Sequence, residues 1–332
     1  MTLRRGLVAI GAALAILGGL VFAYAYIHGY LSPDSDELSV VALDPSDPAR
    51  TRIGRLEYRG GLDIPRMGQN IGGLSGLRWD PDSGRLLAIT DDARWVWITP
   101  DESDEQLTGI AAIESGDLLG LQGEILTGKE QGDSESLTRS VDGGWLIGFE
   151  RDHRVWRYPD LTGRPEPTAI DPEELLGPLG ENNGLEALAS SQNVVIGCAE
   201  QVDDQAVGIC FTLAEERPAQ TFPIGATSAT GDTGALPTDA DMSADGMLFV
   251  LWRSYSPADG NAAMIHIKLP GEPPTEVMVL RPPLSVDNFE GLAVREETTN
   301  DGQSRTFLYI VSDDNFSGGQ RTLLMKFEVV VE

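Results

Sequence analysis

One pattern recurs five times along this chain, and few architectures can accommodate it: a short polar-to-apolar strand, a tight turn, an apolar strand ending in charge, and a third strand. The first strand of each unit reads GGLSGL (72–77), DSESL (133–137), NGLEAL (183–188), TDADM (238–242) and NFEGL (288–292). The turns after them are DPDSG, VDGG, SSQN, SADG and a longer polar loop from Glu296 to Arg305. Asp-Gly and Ser-Gly pairs mark hairpins because glycine accepts positive φ. Second strands follow as RLLAITDD, GWLIGFER, NVVIGCAE, GMLFVLWR and TFLYIVSDD, and third strands as RWVWI, RVWRY, VGICF, AMIHI and TLLMKFEV.

With Leu77, Leu137, Leu188, Met242 and Leu292 taken as equivalent, the steps are 60, 51, 54 and 50 residues. That length suits a four-stranded propeller blade with modest loops. Helical solenoids fit poorly, since these strands are β-branched, aromatic and broken by turns rather than periodic at 3.6. The predicted fold is an all-β propeller. Five blades are counted, and a sixth would have to hide in the long first step, which contains DLLGLQGEILTGKEQ. The last unit stops after its third strand. The strand-like segment RIGRLEYRGGLDI (52–64) is expected to supply the missing outer strand, closing the ring with both termini and removing exposed edges.

Ahead of the repeat, Arg4 and Arg5 precede an uncharged stretch from Gly6 to Ile27, the basic-then-apolar order of an export signal. Ala23-Tyr24-Ala25 offers a cleavage site, but 22 apolar residues are enough to cross about 30 Å of hydrocarbon, which favours an uncleaved anchor helix. Residues 1–30 are thus read as a signal sequence or membrane anchor, 31–50 as a Pro-, Asp- and Ser-rich linker, and 51–332 as the propeller. The expected location is the periplasmic face of the cytoplasmic membrane, or the periplasm if the signal is cleaved. A formal charge of −28 argues against nucleic acid and anionic lipid as partners and favours divalent cations. A monomer is expected. The two cysteines, Cys198 and Cys210, lie in apolar runs on either side of a polar turn near Asp204, and are either a cross-strand disulfide or two buried thiols.

In a blade the innermost strand lines the channel, and its start shares a rim with the end of the second strand. The starts are Ser75, Glu135, Glu186, Asp239 with Asp241, and Glu290; the ends are Asp91 and Asp92, Glu150 and Arg151, Glu200, Arg253, and Asp313 with Asp314 and Asn315. Carboxylates this close to one axis repel unless a cation neutralises them or their pKa values rise. Calcium, with six to eight oxygen ligands, fits such a ring, whereas transition metals want imidazole or thiolate. Glu135, Glu186, Asp239, Glu290 and Asp313 are the candidate metal ligands. The alternative is that Glu135, Glu186 and Glu290 cap backbone amides between blades. Glu150, Arg151, His153 and Arg253 are the candidate catalytic groups; Ser75, Asp91, Asp92, Arg253 and Asn315 are candidates to bind substrate. His266, in a third strand, reads as structural. GLSGL lacks the last glycine of a nucleophile elbow, and no phosphate loop, HExxH or dinucleotide fingerprint is present.

At GGLSGLRWDPDSGRLLAITDD, DSESLTRSVDGGWLIGFERDHRVWRY, NNGLEAL, TDADMSADGMLFVLWRSYS, DNFEGLAV and YIVSDDN the sequence resembles the phytase-like domain family, also described by an esterase-like activity of phytase. The resemblance covers roughly 51–330. It implies a bacterial exported propeller and hydrolysis of phosphoric or other esters of small molecules. The calcium motifs of well-characterised propeller phytases have no residue-by-residue counterpart here. A non-catalytic envelope protein that binds a ligand or protein partner is the alternative.

Overall fold

The computed structural model describes residues 37–65, 71–200, 202, 208–215, 217–224, 234–269, 271–298 and 302–330. The hydrophobic N-terminal segment, read as an anchor helix, lies outside them. No helix among the described residues is long and apolar enough to cross a membrane.

The chain enters through β1 (Ser39–Val40), β2 (Arg52–Ile53) and β3 (Leu56–Ile64), then builds five antiparallel sheets in sequence order. Blade 1 is β4 (Leu74–Asp80), β5 (Arg85–Thr90), β6 (Arg94–Ser103) and β7 (Gln106–Asp117). A short helix α1 (Lys129–Gly132) leads into blade 2, which is β8 (Ser134–Arg139), β9 (Trp145–Phe149), β10 (Arg154–Tyr158) and β11 (Glu166–Pro167). After α2 (Pro172–Leu176), capped by the Asp171 carboxylate on the Glu174 amide, blade 3 is β12 (Leu185–Ser191), β13 (Val194–Ala199), β14 (Ile209–Ala214) and β15 (Gln220–Pro223). Blade 4 is β16 (Leu236–Met242), β17 (Leu248–Ser256), β18 (Gly260–Lys268) and β19 (Thr275–Leu280). Blade 5 takes β20 (Phe289–Thr298), β21 (Ser304–Ser312) and β22 (Thr322–Val329) from the C-terminus, and its outer strand is β3 from the N-terminus.

The ring therefore closes as the segment 52–64 predicts, with Leu324 opposite Leu62 and Phe327 opposite Tyr58. The long first step holds no sixth blade. It is spent on the extended β6–β7 hairpin and on the turn and helix of 118–133. Part of the expected linker belongs to the propeller instead: β1 pairs with β3, Leu43 is buried among blades 4 and 5, and Ser285 Oγ donates to the Ala42 carbonyl at 2.7 Å.

Five apolar clusters fill the five gaps between neighbouring blades, so the core is a ring of interfaces rather than one central mass. Leu87, Ile89, Leu137, Trp145 and Phe149 join blades 1 and 2; Phe307, Tyr309, Leu77 and Leu86 join blades 5 and 1. The tip of β6–β7 also reaches back to blade 5. There the Glu102 carboxylate accepts from Tyr309 Oη at 2.6 Å and Arg295 Nη1 at 3.0 Å, and pairs with the buried Lys326 ammonium at 2.9 Å. Register places Cys198 opposite Cys210, and the two are disulfide-bonded, tying β13 to β14.

Candidate functional site

Every innermost strand carries a β-bulge at the same place. In the pairing of each first strand with its second, one residue is skipped: Gly76 in blade 1, Glu135 in blade 2, Glu186 in blade 3, Thr238 in blade 4 and Glu290 in blade 5. A bulged residue is released from the ladder and its side chain is re-aimed, which is why bulges collect beside active sites. In blade 1 the bulge sits at φ +59, which glycine tolerates. The other four carry three glutamates and a threonine, whose hydroxyl donates to the Phe289 carbonyl at 3.0 Å.

This register corrects two sequence expectations. Asp239 is not a ring acid: it follows the bulge, and its carboxylate is fully committed. It meets Arg78 through both oxygens, at 2.9 and 3.0 Å, and accepts from the amides of Leu77, Leu292 and Ala240 at 3.1, 2.7 and 2.8 Å. Met242 is not the counterpart of Leu137 either. The residues two positions after the bulge are Arg78, Leu137, Leu188, Ala240 and Leu292, so Arg78 occupies a column otherwise filled by Leu and Ala. Its guanidinium donates to the carbonyls of Leu188, Ala240 and Leu292, its own equivalents in blades 3, 4 and 5. Asp241 is a second brace, accepting from Met242 and Val294 amides at 2.8 Å each. Capping of inter-blade amides thus falls to Asp239 and Asp241, not to the glutamates for which it was the alternative.

Above this buried waist the acids converge. Oxygens of Asp133, Glu135 and Glu150 lie within 4.8 Å of one another. Burial first, then the charges of Glu150 and Asp133, push the Glu135 carboxyl well above the glutamate range, while a hydrogen bond with Ser75 opposes this. Glu186 is driven up by burial and by Glu135, Glu150, Glu200 and Glu290, and Glu200 rises through its own burial. Glu290 is raised to about 8 by burial, against the Arg253 charge and with Asp313 and Glu200 adding to it. Asp313 is raised to about 7, again mainly by burial.

The supports are specific. Gly184 N donates to Glu150 Oε1 at 2.8 Å, and Arg151 Nε to Asp133 Oδ2 at 2.8 Å. From α1, Lys129 Nζ lies 3.3 Å from Asp91 Oδ2 and 3.4 Å from Asp133 Oδ1. Arg253 Nε is 3.3 Å from Glu290 Oε1, and its Nη1 donates to Asn288 Oδ1 at 2.8 Å; Asn288 Nδ2 donates to Glu290 Oε1 at 2.9 Å. Ser75, Glu135, Glu150, Glu186, Arg253, Glu290 and Asp313 are thereby linked, directly or through one another. Asp92 instead accepts from the Thr90 hydroxyl in its own turn, Asn315 donates to Gln320 at 3.1 Å, and His153 turns Nε2 to the Gly180 carbonyl at 3.1 Å. No hydrogen bond joins these three side chains to the acid cluster among the described residues, although the Asn315 backbone amide donates to Asp313 Oδ1 at 2.7 Å.

Sequence reasoning passed over Asp133, Lys129, Asn288 and Arg78. Asp133 stands two residues before Glu135 in DSESL, a spacing that puts side chains on one face of a strand. Arg78 is masked by its neighbour Leu77, which takes its place in the apolar column when the repeats are aligned by sequence. Lys129 and Asn288 had no repeat to flag them.

The profile of the phytase-like family, described as esterase-like activity of phytase, matches residues 69–316. The chain belongs to this family. No curated protein matches it. Solved structures with which this phytase-like chain shares similarity include a carbohydrate-active enzyme of family AA12 from Trichoderma reesei (10% identity, 89% of this chain and 97% of that one, TM-score 0.35). Others are the tail fibre of Staphylococcus aureus phage P68 (11%, 93% and 56%, 0.37) and an endo-arabinase from Bacteroides thetaiotaomicron (13%, 79% and 94%, 0.39). The phytase-like match spans every bulged position of the ring.

Proposed function

We propose that the acid mouth of the channel hydrolyses ester bonds, phosphoric or carboxylic, with a divalent cation such as calcium held by Asp133, Glu135 and Glu150. The observation that carries this reading is the approach of those three carboxylates to within 4.8 Å, an all-oxygen set of the kind hard cations select. Burial first and mutual repulsion second lift Glu135 and Glu186, which is the electrostatic counterpart: Arg151 and Lys129 are spent on Asp133, and among the described residues no ion pair serves those two glutamates. When bound, a divalent ion polarises an ester oxygen and acidifies a water.

The chain's own groups divide the remaining work. Glu150 and Asp133 are fixed by Gly184 N and by Arg151, so their oxygens are oriented before any ligand arrives. Glu290, raised to about 8, holds a proton at neutral pH. Its Oε1 is engaged by Arg253 and Asn288, which leaves Oε2 to carry that proton to a leaving-group oxygen. Arg253, whose Nε is 3.3 Å from Glu290 Oε1, supplies the cation to face developing negative charge. The N-terminal hydrophobic segment, by its charge order, tethers the domain at the periplasmic side of the membrane.

The test is a screen of the full-length chain in detergent against phosphate esters, carboxyl esters and lactones, with calcium or with chelator, alongside Glu150→Gln and Glu186→Gln. Cation-dependent turnover lost in Glu150→Gln is the expected result. Activity indifferent to the cation and to both substitutions overturns the reading, and absence of any turnover leaves the ring as a binding site.

A further inference from the structure

Beside the acid mouth, between blades 4 and 5, opens a cleft of about 860 Å³. One wall is a hairpin that overshoots its neighbours. By the bulge register Trp252 of β17 corresponds to Ile89, Phe149 and Ala199; the second strands of blades 2 and 3 end there and that of blade 1 one residue later, yet β17 runs on to Ser256. On this overhang Tyr255 pairs directly with Asn261, so an aromatic ring and an amide stand side by side on one face. Tyr255 is 64% exposed, far more than a ring needs to be for packing alone. The opposite wall is the loop from Asp313 to Arg321. There Asn315 Nδ2 donates to Gln320 Oε1, leaving Asn315 Oδ1 as an acceptor and Gln320 Nε2 as a donor.

The charge of the cleft decides what it takes. Its two guanidiniums are set among acids: Arg321 is 3.3 Å from Asp287, and Arg253, 3.3 Å from Glu290, also faces the carboxyls of Glu200 and Asp313. An anion such as phosphate therefore finds no surplus positive charge, in a molecule whose formal charge is already −28. Amide side chains both donate and accept, as vicinal hydroxyls require, and an exposed aromatic ring offers a flat apolar face to C–H groups. We propose that this cleft binds a neutral polyhydroxylated ring, a sugar or cyclic polyol, as the alcohol portion of the ester whose bond lies over Glu290. The inference rests on the hydrolytic reading above for the word ester, but the binding claim does not depend on turnover.

The test is isothermal titration of the full-length chain, in a detergent without a sugar headgroup and with chelator present, using glucose, galactose, arabinose, myo-inositol and inorganic phosphate. Saturable binding of at least one neutral compound, undisturbed by phosphate, is expected. Tyr255→Ala and Asn261→Ala, on a solvent-exposed overhang, should each weaken it about tenfold, equivalent to ~1.4 kcal/mol, whereas Glu150→Gln should leave it intact. No neutral compound binding, phosphate binding in its place, or affinity unmoved by both overhang substitutions overturns the proposal. If neutral binding persists while the ester screen is blank, only the hydrolytic reading fails. If simple esters are cleaved and no polyol binds, only the cleft assignment fails.

Discussion

Arg78 holds both carboxylate oxygens of Asp239, at 2.9 and 3.0 Å, and both side chains are almost wholly buried at the axis of the ring. Through it, blade 1 is fastened to blades 3, 4 and 5 in one hydrogen-bonded knot. Removing one partner strands the other charge in a site shut off from bulk solvent. Asp239→Ala and Arg78→Ala should each cost about 3–5 kcal/mol in urea unfolding followed by tryptophan fluorescence. The double variant should cost less than the sum of the two; strict additivity would show the pair to be energetically independent.

The acid cluster should make stability respond to divalent cations. Calcium at a hundredfold excess over its dissociation constant should add about 2.7 kcal/mol, visible as a higher Tm that chelator reverses. Glu186→Gln removes one of the repelling charges. It should raise Tm in chelator while shrinking the calcium response, and a variant that lowers both would contradict the placement of Glu186 in the cluster.

His266 gives a pH dependence whose sign follows from its surroundings. It is buried against the edge of Trp252, and neither ring nitrogen has a hydrogen-bond partner among the described residues. Burial pushes it down from 6.5 to about 4. Above pH 6.5 the ring is neutral folded or unfolded and contributes nothing to the pH dependence. As pH falls from 6.5 towards 4 only the unfolded chain takes up the proton, and stability drops by up to about 3 kcal/mol. His266→Phe should flatten that limb of the stability curve, measured as urea midpoints from pH 7 to 4. An unchanged limb would assign the acid sensitivity to other groups.

The disulfide closes a short hairpin at the same rim as the acids. Its partners are 12 residues apart in sequence, so reduction should cost about 2–3 kcal/mol, much of it through a freer unfolded chain. A Cys198→Ala/Cys210→Ala variant should melt lower than the oxidised parent and match the reduced one. Equal melting of oxidised and reduced parent would show the crosslink to be energetically silent.

Much of this architecture was legible because each blade repeats the same hydrophobic alternation and the same turn chemistry. The strand from 52 to 64 was legible for a complementary reason: it had alternation but no unit of its own. Register was harder. A bulge adds one residue without altering composition, so Thr238 and Asp239 were interchangeable on paper, and the acid of TDADM was assigned to the channel mouth when it belongs to the knot below. Leu77 misled in the same way, hiding Arg78 beside it. The packing of β1 and Leu43 was not legible either, because two short strand residues and one leucine in a Pro- and Asp-rich stretch carry no periodicity.

The waist formed by Arg78 also limits traffic. One planar side chain there donates to carbonyls of blades 1, 3, 4 and 5, so it stands as a plug across the axis beneath the acids. A ligand of the acid mouth would then arrive and leave by the rim those acids share, and product would have to clear that rim before the next substrate could settle.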